Sequence, residues 1–115
     1  MYLQRPALRL TVFVGETDSY HHRPLYHEIV RRARKAGLAG ASVFHGIDGF
    51  GPSHRTHPHG ALHIIEERPV MVLIVDLAER IQAFIPEINQ LITRGLVITD
   101  PVDVIAHSDP EASPS

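Results

Sequence analysis

The sequence contains no cysteine among its 115 residues. Disulfides, thiolate metal sites and cysteine nucleophiles are therefore excluded, and the absence fits a reducing compartment. The first five residues lack the apolar stretch of a signal peptide. The longest uninterrupted aliphatic run, residues 70–75, is far shorter than the roughly 20 residues of a membrane span. We therefore expect a cytoplasmic protein with no direct membrane insertion.

The sequence also lacks an excess of positive charge. Lysine and arginine total 11 against 13 acidic residues, which gives a formal net charge of −2. Nucleic-acid binding usually requires a basic field, so no nucleic-acid partner is expected. The length and a hydrophobic content of 43% suit one globular domain.

Hydrophobic periodicity predicts four strands and two helices. Alternating apolar residues from Leu8 to Val14 predict a strand, and helical spacing follows from Pro24 until Gly37 ends the pattern. Residues 39–47 and 70–75 predict two further strands. Asp76 and Glu79 have the spacing of a capping box before a second helix, which Pro86 interrupts. Residues 96–105 predict the last strand.

The order β-α-β–β-α-β predicts an α+β fold, the ferredoxin-like split β-α-β sandwich. Its two helices cover only one face of an antiparallel sheet. Residues 70–75 are nevertheless apolar on both faces, and Phe13 points away from the helix-facing side chains of its strand. Another copy of the same sheet is the simplest cover for the second face, so an oligomer is expected.

Composition divides the chain into one domain and a tail. Residues 1–106 form the predicted domain, and residues 48–61 are rich in glycine, proline, histidine, serine and arginine. Such a segment cannot build a packed core, so it is predicted to be a mobile loop. Residues 107–115, with two prolines and three serines, are predicted to be disordered.

A glycine-rich tract where the second strand leaves the sheet is the first candidate ligand site. Glycines permit positive φ and let backbone N–H groups approach an anion closely, although they can equally serve only to turn the chain. Arg55 and Arg94 are candidate anion partners, although exposed arginines are often only solvated. Arg94 could instead interact with the C-terminus of the second helix. The predicted ligand-binding residues are Gly46, Ile47, Gly49, Phe50, Gly51, Arg55 and Arg94.

Several motifs together resemble a known family. They are Leu-x-Leu-x-Val-x-Val-Gly-Glu at residues 8–16, Pro-Leu-Tyr at 24–26, Gly-Leu-Ala-Gly-Ala at 37–41, Gly-Ile-x-Gly-Phe-Gly at 46–51 and Phe-Ile-Pro at 84–86. The sequence resembles domain of unknown function 190, an uncharacterised PII-like family related to the nitrogen regulatory PII signalling proteins. The match runs from about residue 7 to residue 105.

The resemblance implies a PII-like homotrimer in which three sheets face a shared centre. PII relatives bind adenine nucleotides or similar small effectors between subunits, at the base of the loop that follows the second strand. That loop docks onto a membrane channel, a transporter or an enzyme. PII proteins proper also hold phosphates with a lysine-rich connection before the last strand. Here that connection is only residues 93–95, which leaves open whether nucleotide binding survives.

Four of the nine histidines fall within ten residues and are candidate metal ligands. Imidazole suits Zn, Ni and Cu, although the spacing matches no standard structural zinc site. The alternative is a polar loop whose histidines contact a partner or only solvent. The candidate ligands are His54, His57, His59 and His63.

Three functions are therefore compatible with the sequence. The leading hypothesis is a PII-like trimeric regulatory protein that binds a small anionic effector and relays its state to a partner. The first alternative is a divalent-metal-binding trimer. The second is a small enzyme on a ferredoxin-like scaffold, since one fold hosts many activities. No carboxylate pair or triad is evident in the sequence, so a protein that is not an enzyme is expected.

Overall fold

The computed structural model describes residues 5–50 and 68–106. Most of the predicted mobile loop and the predicted disordered tail lie outside the described residues. The elements, in chain order, are β1 (Ala7–Gly15), β2 (Ser19–Tyr20), β3 (Arg23–Pro24), α1 (Leu25–Lys35), β4 (Ser42–His45), β5 (Pro69–Leu77), α2 (Ala78–Leu91) and β6 (Leu96–Val102).

The four longer strands form one antiparallel sheet in the order β4-β5-β1-β6. This order places β1 and β5 at the centre and leaves β4 and β6 as edge strands. Each helix connects two parallel strands that have one antiparallel strand between them. The predicted ferredoxin-like βαββαβ fold is confirmed.

One strand is shorter than its sequence pattern indicates. The second predicted strand covered residues 39–47, whereas β4 includes only Ser42–His45. The amide of Ala39 donates to the Asp76 carboxylate at 2.9 Å instead of joining the sheet.

The last strand is also shorter than predicted. It ends at Val102, which pairs with Ala7, the first residue of β1. Beyond that register the neighbouring strand offers no partner for residues 103–105.

The predicted capping box is wrong. Leu77 is the N-cap residue of α2, and no side chain caps this helix. Asp76 is still part of β5, where it pairs with Leu8, and its carboxylate accepts from the amides of Ala39 and Leu77. The carboxylate therefore ties the α1–β4 connection to the end of β5. Pro86 lies inside α2 as expected.

A short hairpin, β2–β3, precedes α1 and was not predicted. Its two turn residues, His21 and His22, have φ of 49° and 69°. Two-residue hairpin turns with positive φ at both positions usually use Asn-Gly or Gly-Gly. The sequence has neither glycine nor asparagine here, which is why the hairpin gave no signal.

The hydrophobic core lies between the two helices and one face of the sheet. Alternate residues of β1 and β5 point toward the helices, and the apolar stripes of α1 and α2 cover them. The side chains with the least exposure include Leu10, Val12, Ile29, Val70, Val72, Ile74, Ile81 and Ile88.

The opposite face, which we call the open sheet face, is apolar and is not covered by either helix. Strand register aligns one row across all four strands: Phe44, Met71, Phe13 and Leu96. The next row contains Ser42, Leu73, Thr11 and Ile98. Phe44, Leu96 and Ile98 are 49%, 46% and 43% exposed. The prediction of a sheet with two apolar faces is confirmed.

Candidate functional site

The two ends of the segment that joins β4 to β5 meet at one edge of the sheet. We call residues 46–50 together with Arg68 and Pro69 the loop base. The amide of Gly46 donates to the carbonyl of Pro69 at 2.7 Å. A methyl group at Gly46 would lie 2.6 Å from Pro69 Cγ and 3.1 Å from the Pro69 carbonyl oxygen. Only glycine allows this close approach without a shift of Pro69.

Glu16, the residue after β1, contacts both ends of that segment. Its amide donates to the Arg68 carbonyl at 2.9 Å, and its carboxylate Oε2 lies 3.3 Å from His45 Nδ1. The His45 ring meets Tyr26 of α1 edge-to-face, with centroids 5.1 Å apart. Glu16 therefore links β1, the end of β4 and the start of β5 in one contact set.

The described part of the predicted glycine tract, residues 46–50, follows directly after His45 of this contact set. Gly49 has φ of +147°, in the range that favours glycine, and its amide donates to the Asp48 carboxylate at 2.8 Å. Ile47 and Phe50 are 92% and 94% exposed. Two large apolar side chains are thus presented to solvent where the described segment ends.

The structure groups some of the predicted ligand residues and separates another. Gly46, Ile47, Gly49 and Phe50 lie together in the loop base. Arg94, which is exposed, precedes β6 at the same end of the sheet. It lies at the opposite edge, three strand spacings or about 14 Å from β4. One subunit therefore does not bring Arg94 to the loop base.

The remaining predicted site residues lie outside the described residues. They are Gly51, Arg55 and the four candidate metal ligands His54, His57, His59 and His63. Within residues 5–50 and 68–106, no three histidine or acidic side chains are close enough to hold a metal ion. The metal and enzyme hypotheses stay predictions.

The contact between Glu16 and His45 was missed in the sequence. Both residues follow strand patterns, but β1 and β4 are not neighbours, because β5 lies between them. The contact becomes apparent only when the strand order places both strand ends at one end of the sheet. Sequence distance alone gives no signal for it.

A second charged cluster on α1 is satisfied internally. The Glu28 carboxylate accepts from Arg31 at 3.0 and 2.8 Å and from Arg32 at 2.8 Å. These hydrogen bonds lower the pKa of Glu28 to about 2. Arg32 also donates to the Tyr20 hydroxyl at 3.2 Å. Glu28 therefore pairs with both guanidinium groups within α1.

Comparison with known proteins identifies the family. The family model DUF190, described as "Uncharacterized ACR", matches residues 7–104, which is most of the chain. This chain belongs to the DUF190 family. DUF190 is a PII-like family, so the resemblance in the sequence motifs is confirmed.

Two curated proteins are similar to this DUF190 chain over most of its length. A "UPF0166 protein" of Aquifex aeolicus is 34% identical over 96 residues, which cover 84% of this chain and 90% of the relative. A "UPF0166 protein" of Methanocaldococcus jannaschii is 26% identical over 93 residues, covering 79% and 85%. Across the described ranges of the DUF190 chain, no helix has both the length and the apolar character needed to cross a membrane.

We expect Gly46→Ala to loosen the loop base of the DUF190 chain. The added methyl group overlaps Pro69, so the free energy of unfolding should fall by about 1–2 kcal/mol, the usual cost of overpacking. The Gly46 amide should also exchange its hydrogen faster. Urea unfolding and hydrogen exchange measure both effects. Gly40→Ala is the matched control, because a methyl group there meets nothing within 4 Å. Equal behaviour of the two variants would contradict the close approach at Pro69.

Proposed function

We propose that this DUF190 chain is a PII-like regulatory protein. It assembles as a homotrimer through the open sheet face and binds a small anionic effector in the cleft between subunits, near the loop base. An adenine nucleotide is the first candidate effector. The segment between β4 and β5 then relays the bound state to a partner, which we expect to be a membrane channel, a transporter or an enzyme.

The open sheet face supports the assembly. Burial of apolar surface contributes about 25 cal/mol per Å², and the row formed by Phe44, Met71, Phe13 and Leu96 runs across the whole sheet. At one end of this face, Arg9 and Asp100 form a two-bond ion pair, at 3.0 and 2.6 Å. An apolar centre with a polar margin is typical of a protein interface. The PII-like family favours three copies.

The observation that carries the effector site is the position of Arg94 relative to the loop base. Both lie at the same end of the sheet but on opposite edges. In a closed ring of copies, the β6 edge of one subunit faces the β4 edge of the next. Arg94 of one subunit then approaches Gly46 and Gly49 of its neighbour. Glycine backbone and a guanidinium group together suit an anion.

The contacts of Glu16 with Arg68 and His45 support the relay of the bound state to a partner. An effector shifts a conformational equilibrium only if it binds one state better than the other. Because Glu16 contacts both Arg68 and His45, a ligand at the loop base acts where the two ends of the segment are joined. A small displacement there changes how both ends leave the sheet.

Native mass spectrometry of three proteins tests the assembly. We expect the wild-type chain to be a trimer and Ile98→Asp to be a monomer, because the charge would be buried between subunits at a cost of several kcal/mol. Ile98 is already 43% exposed in one subunit, so the monomer should stay folded. Thr99→Asp is the matched control. It changes the next residue of the same strand, on the other side of the sheet, and should remain trimeric.

The same instrument tests the effector with a mixed pool of adenine nucleotides. Selection of one nucleotide, with up to three copies per trimer, supports the proposal. Hydrogen exchange at residues 46–50 should then slow when that nucleotide is present. A trimer that ignores every nucleotide but carries stoichiometric metal would favour the histidine-loop alternative. A wild-type monomer would overturn the site between subunits.

A further inference from the structure

A pocket of about 310 Å³ lies beside the C-terminal half of α1, away from the loop base. The α1–β4 connection forms its other wall. It is situated at the start of β4, whereas the loop base follows the end of β4, so the two features are at opposite ends of this strand. Volumes of this order hold small organic molecules. The residues that define its chemistry are Val30, Ala33, Arg34, Leu38, Gly40 and Ala41.

The walls of this pocket combine apolar side chains with exposed polar groups of Arg34 and the backbone, and they are anchored. Ala33 is 2% exposed, and Val30, Leu38 and Ala41 pack against the core as partly buried residues. The amide of Leu38 donates to the Ala33 carbonyl at 3.1 Å. The next amide, that of Ala39, donates to the Asp76 carboxylate at 2.9 Å. Because both walls are held by the fold, a ligand pays little to order them.

Arg34 is the charged residue of the pocket lining. The described parts of the chain contain no ion pair that involves it, whereas Arg31 and Arg32 are both engaged by Glu28. A helix C-terminus normally repels anions through its free carbonyls. Here the carbonyls of residues 32–34 already accept from the amides of residues 36–38. The partial negative charge at the C-terminus of α1 is thus partly neutralised. The Arg34 guanidinium group therefore makes the pocket favour anions.

We propose that this pocket binds a small organic monoanion with a compact apolar body, of the class of aromatic monocarboxylates. The apolar body contacts Val30, Leu38 and Ala41, and the carboxylate pairs with Arg34. A guanidinium group matches a carboxylate with two parallel hydrogen bonds. This site is separate from the proposed effector site and does not depend on it.

Amide chemical-shift titration of the full chain with 2-naphthoate tests this site. We expect saturable shifts at residues 38–41. Neutral 2-naphthamide should bind the wild-type protein roughly tenfold more weakly, since it lacks the charge-assisted bonds. Arg34→Gln should weaken naphthoate by a similar factor and leave naphthamide unchanged. Lys35→Gln, which removes the neighbouring exposed cation outside the lining, is the matched control and should change neither.

A second variant tests the location of the site. Gly40 lines the pocket, and a Cβ there meets nothing within 4 Å, so Gly40→Leu should reduce the space without destabilising the fold. We expect both probes to lose binding while the urea unfolding curve stays unchanged. Absence of saturable shifts at residues 38–41 up to about 10 mM, a regime of negligible affinity, would overturn the proposal. Equal effects of Arg34→Gln and Lys35→Gln would also overturn it.

The two proposed sites can fail independently. Naphthoate binding is measured at residues 38–41, whereas the effector acts at residues 46–50 and requires the trimer. Ile98→Asp should therefore abolish the effector response and leave naphthoate binding intact. Loss of both responses in this folded monomer would mean that the pocket also depends on the neighbouring subunit, which contradicts the proposal of an independent site.

Discussion

Glu28→Gln should lower the free energy of unfolding at pH 7 by about 2–3 kcal/mol. The Glu28 side chain is only 6% exposed and is paired with Arg31 and Arg32. Hydrogen bonds from both arginines lower its pKa from 4.5 to about 2, and each pKa unit corresponds to about 1.4 kcal/mol. Because Arg31 is 53% exposed, solvent screening reduces the full value.

The effect of Glu28→Gln on the free energy of unfolding should also depend on pH. The folded-state pKa of Glu28 is depressed, so its stabilising contribution is present above pH 4.5 and is lost as the pH falls toward 2. Urea unfolding of the wild-type protein and of Glu28→Gln should therefore differ most at neutral pH. The two curves should converge at about pH 2, the folded-state value.

Glu87→Gln is the matched control for Glu28→Gln. Glu87 lies 3.6 Å from Arg32 but is 43% exposed, and exposed ion pairs contribute about 0–1 kcal/mol. Glu87→Gln should change the free energy of unfolding by less than about 0.5 kcal/mol. It should not alter how that free energy decreases at acid pH. If Glu28→Gln behaved like Glu87→Gln, the cluster on α1 would be no more important than an ordinary surface pair.

Gly95→Ala should be the most destabilising single substitution in the connection between α2 and β6. Gly95 has φ of +144°, and a methyl group there would lie 2.5 Å from the Phe13 carbonyl oxygen. The backbone strain and the overlap each cost about 1–3 kcal/mol. We expect a total loss of about 3–4 kcal/mol, which lowers the Tm of a domain this size by more than about 10 °C.

Gly37→Ala separates the two causes of that loss. Gly37 also has positive φ, +78°, but its Cβ would meet only Arg80 Nη2, at 3.4 Å. It therefore carries the strain without the backbone overlap and should cost about 1 kcal/mol. Thermal unfolding of both variants measures the difference. Equal Tm values would show that the contact with Phe13 relaxes and that strain alone acts.

Gly95 also connects stability to the proposed assembly. Phe13, whose carbonyl oxygen approaches Gly95, lies on the open sheet face and pairs directly with Leu96. A shift of Gly95 would therefore move β6, the edge strand that carries Leu96 and Ile98. Assembly of Gly95→Ala should accordingly be interpreted together with its unfolding curve, whereas Ile98→Asp reports on the interface alone.

The fold and the open sheet face were predictable from local patterns. Alternation in β1 and β5 and the helical spacing in α1 and α2 arise from periods of 2.0 and 3.6 residues. Those periods are set by backbone geometry and so appear in the sequence. The apolar residues 70–75 likewise indicated a sheet with two apolar faces before the strand order was known.

Residue choices with local causes were also predictable, but burial and contacts between distant parts of the chain were not. The spacing of Glu28 with Arg31 and Arg32 already indicates ion pairs on a helix. Burial of Glu28, which makes those pairs strong, is a property of the folded subunit. Asp76 illustrates the opposite outcome. Its position before a helix indicated a cap, yet the fold brings Ala39 to its carboxylate, so a contact 37 residues away in sequence replaced the local one.

The sequence by itself therefore determined the four long strands and two helices in outline, the apolar faces, the glycine tract and the family. Only the tertiary structure decided that Glu16 meets His45 and Arg68, that Arg94 is separated from the loop base, and that Arg34 lines a pocket beside α1. The physical reason is that side-chain periodicity is a local consequence of backbone geometry. Contacts across the sheet depend instead on strand order and register, which arise from how the whole set of apolar faces packs.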